Sequence, residues 1–119
     1  MNITKFTQKS LEAVQNLEKT AYDYGNQEVT EEHLLYNLIT QPESLIVKLL
    51  EKMGVDPALF KNALTDCLEK KVKVQGGSQP YIGSDLNKCL VKAEDEAKAL
   101  GDEYVSVEHL FLKIGRAHV

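Results

Sequence analysis

His33, His109, Cys67 and Cys89 carry the most reactive side chains of this sequence, and their spacing decides whether that reactivity is usable. A zinc site gathers three or four His, Cys or carboxylate ligands at short intervals, and a catalytic base needs a nucleophile on one side and an orienting group on the other. Neither pattern surrounds these four residues. The histidines stand in EEHLL (Glu31 to Leu35) and VEHLF (Val107 to Phe111), near copies of one another, so each reads as the third residue of a helix whose start is written twice. Cys67 and Cys89 are isolated on apolar helix faces and read as reduced core thiols, with a disulfide or a metal as the lesser readings. Ser84 and Ser106 are cap candidates outside any GxSxG elbow. The GxxxxGK[ST] loop, whose backbone and lysine cradle nucleotide phosphates, is absent. The expectation is a protein with no catalytic constellation and no metal-ligand set.

The elements that hold these residues are helical. A first helix is predicted from a cap at Thr7, stapled by Phe6 and Leu11, with Val14, Leu17, Ala21 and Tyr24 continuing its apolar face until Gly25 stops it. A second runs from Thr30 to about Ile39. Pro42 is expected to open a third, which carries Leu45, Leu49, Leu50 and Met53 and ends at Gly54. Asp56-Pro57 starts a fourth with the stripe Phe60, Ala63, Leu64, Cys67 and Leu68, ending near Lys70-Lys71. The stretch VKVQGGSQPYIGS, Val72 to Ser84, cannot stay helical and reads as a linker. A fifth helix spans about Ser84 to Leu100, and a sixth begins at Ser106. No strand pattern is convincing.

At 119 residues and 43% hydrophobic the chain suits one all-α globular domain with a modest core. Fourteen basic side chains against 18 acidic ones give a net charge of −4, which offers a nucleic-acid backbone little attraction. No apolar run reaches membrane-spanning length and the opening MNITK lacks a signal-peptide core, so no membrane association and a cytoplasmic location are expected.

The two helix starts belong to a longer repeat. His109 minus His33 is an offset of 76, and the same offset pairs Glu18 with Glu94, Ala21 with Ala97, Gly25 with Gly101, Val29 with Val105, Thr30 with Ser106, Glu32 with Glu108 and Leu34 with Leu110. In each copy Gly closes one helix, Thr or Ser caps the next, Glu stands in its first turn, and a Val and a Leu staple the entry. The fold class is therefore all-α, two pseudo-repeats of a helical unit, with repeat one over 1–71, a linker over 72–83 and a partial repeat two over 84–112. Such units are expected to pack face to face, since neither alone buries enough apolar surface.

The segments KFTQKS (Lys5 to Ser10), YGNQEVTEEHLL (Tyr24 to Leu35), LLEKMGVDP (Leu49 to Pro57) and AEDEAKALGDEYVSVEHL (Ala93 to Leu110), at these spacings, resemble the N-terminal double repeat of the Clp ATPases, and most of all its ClpB-type disaggregase branch. The resemblance covers Met1 to about Leu112. It implies a non-catalytic module that engages unfolded or aggregated polypeptides, or adaptor proteins, for a homo-hexameric parent whose ATP and magnesium sites lie elsewhere; this fragment holds no cofactor of its own. In ClpB-type domains a Thr at the start of the first helix, an Asp in the turn of the second repeat and the Glu of its EHL-like motif are tied to substrate handling. Thr7, Asp102 and Glu108 occupy those positions. Each also has a structural reading, as an N-cap, a turn former and a dipole-favoured first-turn acid. Val91, Val105 and Leu110 are groove contributors on the same resemblance and core residues on periodicity alone.

Two other readings stand beside this one. A ClpC-type unfoldase carries an equivalent adaptor-binding domain, and a helix-turn-helix nucleic-acid binder would share the short corners. The latter needs a basic recognition helix where this chain places Glu31, Glu32 and Glu108. The sequence departs from the family pattern after Leu112: AAG-ATC-GGA-AGA-GCA-CAC-GTC encodes Lys113 to Val119 and contains a common sequencing-adapter sequence, so an artefactual tail outside the fold is expected. Repeat two would then lack counterparts of the helices from Pro42 to Lys71, and the exposed apolar faces would favour self-association.

Overall fold

The computed structural model describes residues 5–74 and 79–118, with side chains described as far as Ile114. Met1 to Thr4, the Gly76-Gly77 pair of the linker and the end of the tail at Val119 lie outside the described residues. Helices dominate: α1 (Gln8–Gln15), α2 (Leu17–Asp23), α3 (Glu31–Thr40), α4 (Leu45–Lys52), α5 (Pro57–Lys70), α6 (Ser84–Ala99) and α7 (Val107–His118). None of them is long and apolar enough to cross a membrane.

The expected first helix is split. Asn16 leaves helical geometry (φ −92°, ψ 4°) because its side-chain amide donates to the Glu12 carbonyl at 2.9 Å, competing for the acceptor its own N–H also uses. The third helix starts later than Pro42 suggested. Gln41, ahead of the proline, is extended, Glu43 takes a left-handed φ of 53°, and the cap is Ser44, whose hydroxyl accepts from the Val47 N–H at 3.3 Å and donates to the Leu38 carbonyl at 2.6 Å. The fourth follows its signal: Asp56 accepts from the Ala58 N–H at 2.9 Å and Pro57 is the first helical residue. At the fifth, Gly83 takes the cap position and Ser84 is already helical.

Two short strands, β1 (Glu28–Val29) and β2 (Tyr81–Ile82), pair in parallel, an element too brief to leave a periodic signature in sequence. They are half of a reciprocal arrangement. Ile82 pairs with Val29, while Phe6 pairs with Val105, and 76 residues separate Phe6 from Ile82 and Val29 from Val105 alike. The hydrogen bonds match as well: Gly83 N–H donates to the Val29 carbonyl at 2.9 Å and Thr7 N–H to the Val105 carbonyl at 2.9 Å. Each repeat thus lends its entry segment to the other repeat's corner.

α3 is the hub, packed against α1, α2 and α4 to α7. Leu34, Leu35 and Leu38 from α3, Leu17 and Ala21 from α2, Ile46 and Leu50 from α4, Leu86 and Leu90 from α6, and Leu110 from α7 are buried in one core. Each such leucine contributes about 2 kcal/mol by leaving water. α7 continues through His118, so residues 113 to 118, read from the sequence as an artefactual tail, continue that helix. Ile114 is 1% exposed, takes the place in repeat two that Leu38 has in repeat one, and extends the spacing begun by Leu110 and Phe111; Lys113 Nζ reaches Glu96 Oε2 at 2.8 Å.

Candidate functional site

The second corner is built by the end of α6, the turn at Gly101 and the start of α7. Gly101 takes φ 77°, the left-handed C-terminal position that glycine reaches without strain, and Asp102 N–H closes back on the Ala97 carbonyl at 2.8 Å. Ser106 then caps α7. His109, three residues on, replaces the usual Glu or Gln of a capping box: its Nδ1 accepts the Ser106 N–H at 2.9 Å, so Nε2 carries the proton and donates to Asp102 Oδ2 at 2.9 Å.

The first corner repeats this atom for atom. Thr30 N–H donates to His33 Nδ1 at 2.9 Å, and His33 Nε2 donates to Asn26 Oδ1 at 3.0 Å. Burial first, then the nearby Lys71 charge, pushes the His33 pKa down to about 4. Both ring nitrogens of both histidines are consumed by the corner itself, which leaves neither free to act as a base or a ligand. Among the described residues no group of three or more His, Cys, Asp or Glu is placed to hold a metal ion.

Asp102 and Glu108 line one open groove, together with Leu100, Glu103, Tyr104, Ser106, His109 and Leu112. Leu100 is 65% exposed and Leu112 48%, on a surface where apolar side chains of that size are unpartnered. Thr7 does not line this groove. Its hydroxyl caps α1 by accepting the Ser10 N–H at 3.3 Å, and its backbone ties it behind the corner at Val105. Ser10, fully buried, adds a hydroxyl donation to the same Val105 carbonyl at 2.6 Å. Val105 and Leu110 are core, whereas Val91 is 41% exposed on α6 and lines neither core nor groove.

Sequence reasoning missed Leu100, Tyr104, Leu112 and Ser10. Tyr104 had a legible signal, because repeat one has Glu28 at the matching position. The cysteines are free and half-buried, and Cys89 packs against the core. Burial, and then the Glu31 carboxylate, pushes the Cys89 thiol up to about 11; burial and Glu32 raise Cys67.

Residues 5–118 match the family described as the Clp repeat (R) N-terminal domain. The chaperone protein ClpB of Nitratidesulfovibrio vulgaris is 44% identical over 115 residues, which are 93% of this chain and 13% of the relative. Among solved structures, the N-terminal domain of the ClpV1 ATPase from E. coli EAEC superposes with a TM-score of 0.84 at 21% identity, covering 94% of this chain and 68% of that one. A complex of the ClpV N-domain with a VipB peptide superposes at 0.79 and 22% identity, covering 93% and 68%. The chain thus spans about an eighth of the length of the curated relatives it matches. Duplicated corners, reciprocal strand pairing and this match over nearly every residue lead to one conclusion: the chain belongs to the Clp repeat N-terminal domain family.

Proposed function

We propose that this chain is the polypeptide-binding N-terminal domain of a ClpB-type disaggregase, acting without catalysis of its own. The parent is read as a cytoplasmic homo-hexamer that uses ATP and magnesium in other modules. The observation that carries the reading is the open groove in which exposed Leu100, Tyr104 and Leu112 stand beside the carboxylates of Asp102 and Glu108. Exposed apolar side chains rimmed by charge suit segments of unfolded or aggregated chains, which present apolar residues next to basic ones. Asp102 holds the corner through His109 and Glu108 offers charge to a ligand; Thr7, tied to Val105, fixes the corner from behind and acts as a positioning residue. The ClpV N-domain bound to a VipB peptide supports polypeptide binding by this fold, and the ClpB relatives support the disaggregase branch.

Fluorescence anisotropy with a labelled, permanently unfolded protein tests the reading. Completing the burial of Leu112 contributes about 1 kcal/mol, so Leu112→Ser should weaken binding about fivefold with an unchanged circular dichroism spectrum. Equal affinity of the variant and the parent chain would refute the groove as the binding site.

A further inference from the structure

The two repeats treat their leading helix differently. α6 runs unbroken from Ser84 to Ala99, whereas its counterpart in repeat one is cut at Asn16 into α1 and α2. A buried polar knot surrounds the cut. Asn37, 8% exposed on α3, donates its side-chain amide at 2.9 Å to the Ala13 carbonyl, the acceptor that an uninterrupted helix offers to the N–H of Leu17. The Asn37 oxygen accepts the Thr20 hydroxyl of α2 at 2.6 Å, and that hydroxyl also lies 2.9 Å from the Asn16 carbonyl. One amide therefore holds the end of α1 and the first turn of α2 together. Advancing by 76 residues turns Asn16, Thr20 and Asn37 into Lys92, Glu96 and Lys113. There Lys113 Nζ meets Glu96 Oε2 at 2.8 Å, and the helix that carries Glu96 stays whole.

The cut has a consequence one turn away. Ser10 and Ala13, three residues apart, share the buried face of α1, which packs against α3 and α7. The Ser10 hydroxyl reaches the carbonyl of Val105, the residue before the Ser106 cap, at 2.6 Å. The Thr7 bond to that carbonyl has a copy in the other corner, from Gly83 to Val29 at the same 2.9 Å, but the Ser10 bond has none, because Leu86 stands at the matching position and carries no donor. The corner with Asp102 and Glu108 thus has one more tie than its twin, and the tie comes from the short helix that the cut sets apart. A buried amide is costly unless its hydrogen bonds are made, and Asn37 spends both ends of its amide on the two sides of the cut. We propose that Asn37 is a positioning residue for the second corner: by holding α1 apart from α2 it keeps Thr7 and Ser10 on the Val105 carbonyl and so steadies the turn from which Asp102 and Glu108 face the groove. This rests on the reading of the groove as a polypeptide seat and adds the residue that fixes its frame.

Amide hydrogen exchange followed by NMR tests it, with the first corner as internal control. In Asn37→Leu the Thr7 N–H should exchange about tenfold faster while the Gly83 N–H is unchanged, and the Asn16 Cα shift should move to helical values. Asn37→Lys combined with Thr20→Glu copies the Lys113 and Glu96 pair of repeat two; it should show the same pattern and serves if the leucine variant does not fold. Thr7 protection retained in the folded variant would overturn the proposal, and so would equal loosening of Thr7 and Gly83, which is the signature of a general loss of stability. Anisotropy with a labelled, permanently unfolded protein should show binding weakened about threefold by the folded variant, and equal affinity would also overturn it. If the parent chain binds no unfolded protein, the groove reading falls, and the exchange pattern still decides whether Asn37 positions the corner.

Discussion

Acid should loosen this fold through a single buried ring. His33 is 0% exposed, and its neutral form is built into the first corner: Nδ1 must accept the Thr30 N–H, so a proton there breaks the cap, and Lys71 opposes the added charge. The folded pKa is about 4 against an ordinary 6.5. Between those values the unfolded chain takes up a proton that the folded chain refuses, so stability is fully present above pH 6.5 and is lost as pH falls toward 4. A difference of about 2.5 pH units corresponds to about 3 kcal/mol. A domain of this size holds about 5–15 kcal/mol in all, so the loss is large. Urea unfolding followed by circular dichroism from pH 7.5 to 4.5 measures it. His33→Gln supplies the control, because Gln at the same helix position completes an ordinary capping box and does not titrate. The variant should be about 1 kcal/mol less stable at pH 7.5 and nearly flat down to pH 4.5, where carboxylates begin to contribute. A parent chain that is flat over this range, or a variant with the parent's slope, would refute the assignment.

Asp102→Asn should leave stability within about 0.5 kcal/mol, since Asn26 already performs the same task for His33, while Asp102→Ala removes the His109 acceptor and should cost about 1 kcal/mol in urea unfolding. Weaker polypeptide binding by the Asn variant would assign the charge to the ligand and the hydrogen bond to the fold. Cys89 should react slowly with iodoacetamide at pH 8 and rapidly in urea, because its thiol is raised to about 11; fast labelling of the folded chain, read by mass spectrometry, would contradict its burial beside Glu31.

Most helix boundaries were legible because their punctuation is local. Asp56-Pro57, Gly25, Gly101 and the Thr30 and Ser106 caps act through residues within one turn of each other, and the structure uses them as the sequence suggests. Where a boundary was missed, a competing contact decided it. Ser44 displaced Pro42 as the start of α4 by bonding to the Leu38 carbonyl six residues back, and Asn16 broke a periodic helix with a side chain that apolar spacing ignores. The Phe6 and Val105 pairing spans nearly the whole chain, and no local rule could propose it. The groove was half visible. Asp102 and Glu108 stood out by resemblance, but Leu100 and Leu112 look like any helix apolars until they are seen exposed beside those carboxylates.

The duplication separates what the corner needs from what it is free to vary. Gly, Thr or Ser, Val and His recur at one offset because the turn, the cap and the staple fix them in both repeats, and the histidine bonds agree to within 0.1 Å. The positions around them diverge: Asn26 becomes Asp102, Tyr24 becomes Leu100, Tyr36 becomes Leu112 and Glu28 becomes Tyr104. If folding alone set these residues, equivalent backbones would retain similar ones. Instead repeat one carries tyrosines that meet edge to face and an amide that donates to the Val72 carbonyl, and repeat two presents leucines, a tyrosine and carboxylates to solvent. One frame thus has two surfaces among the described residues, one packed against α5 and one lined by exposed apolar side chains and carboxylates. Restoring the repeat-one residues, with Leu100→Tyr and Leu112→Tyr together, should preserve the corner while altering what the groove binds, and loss of the fold in that variant would show that the leucines serve packing after all.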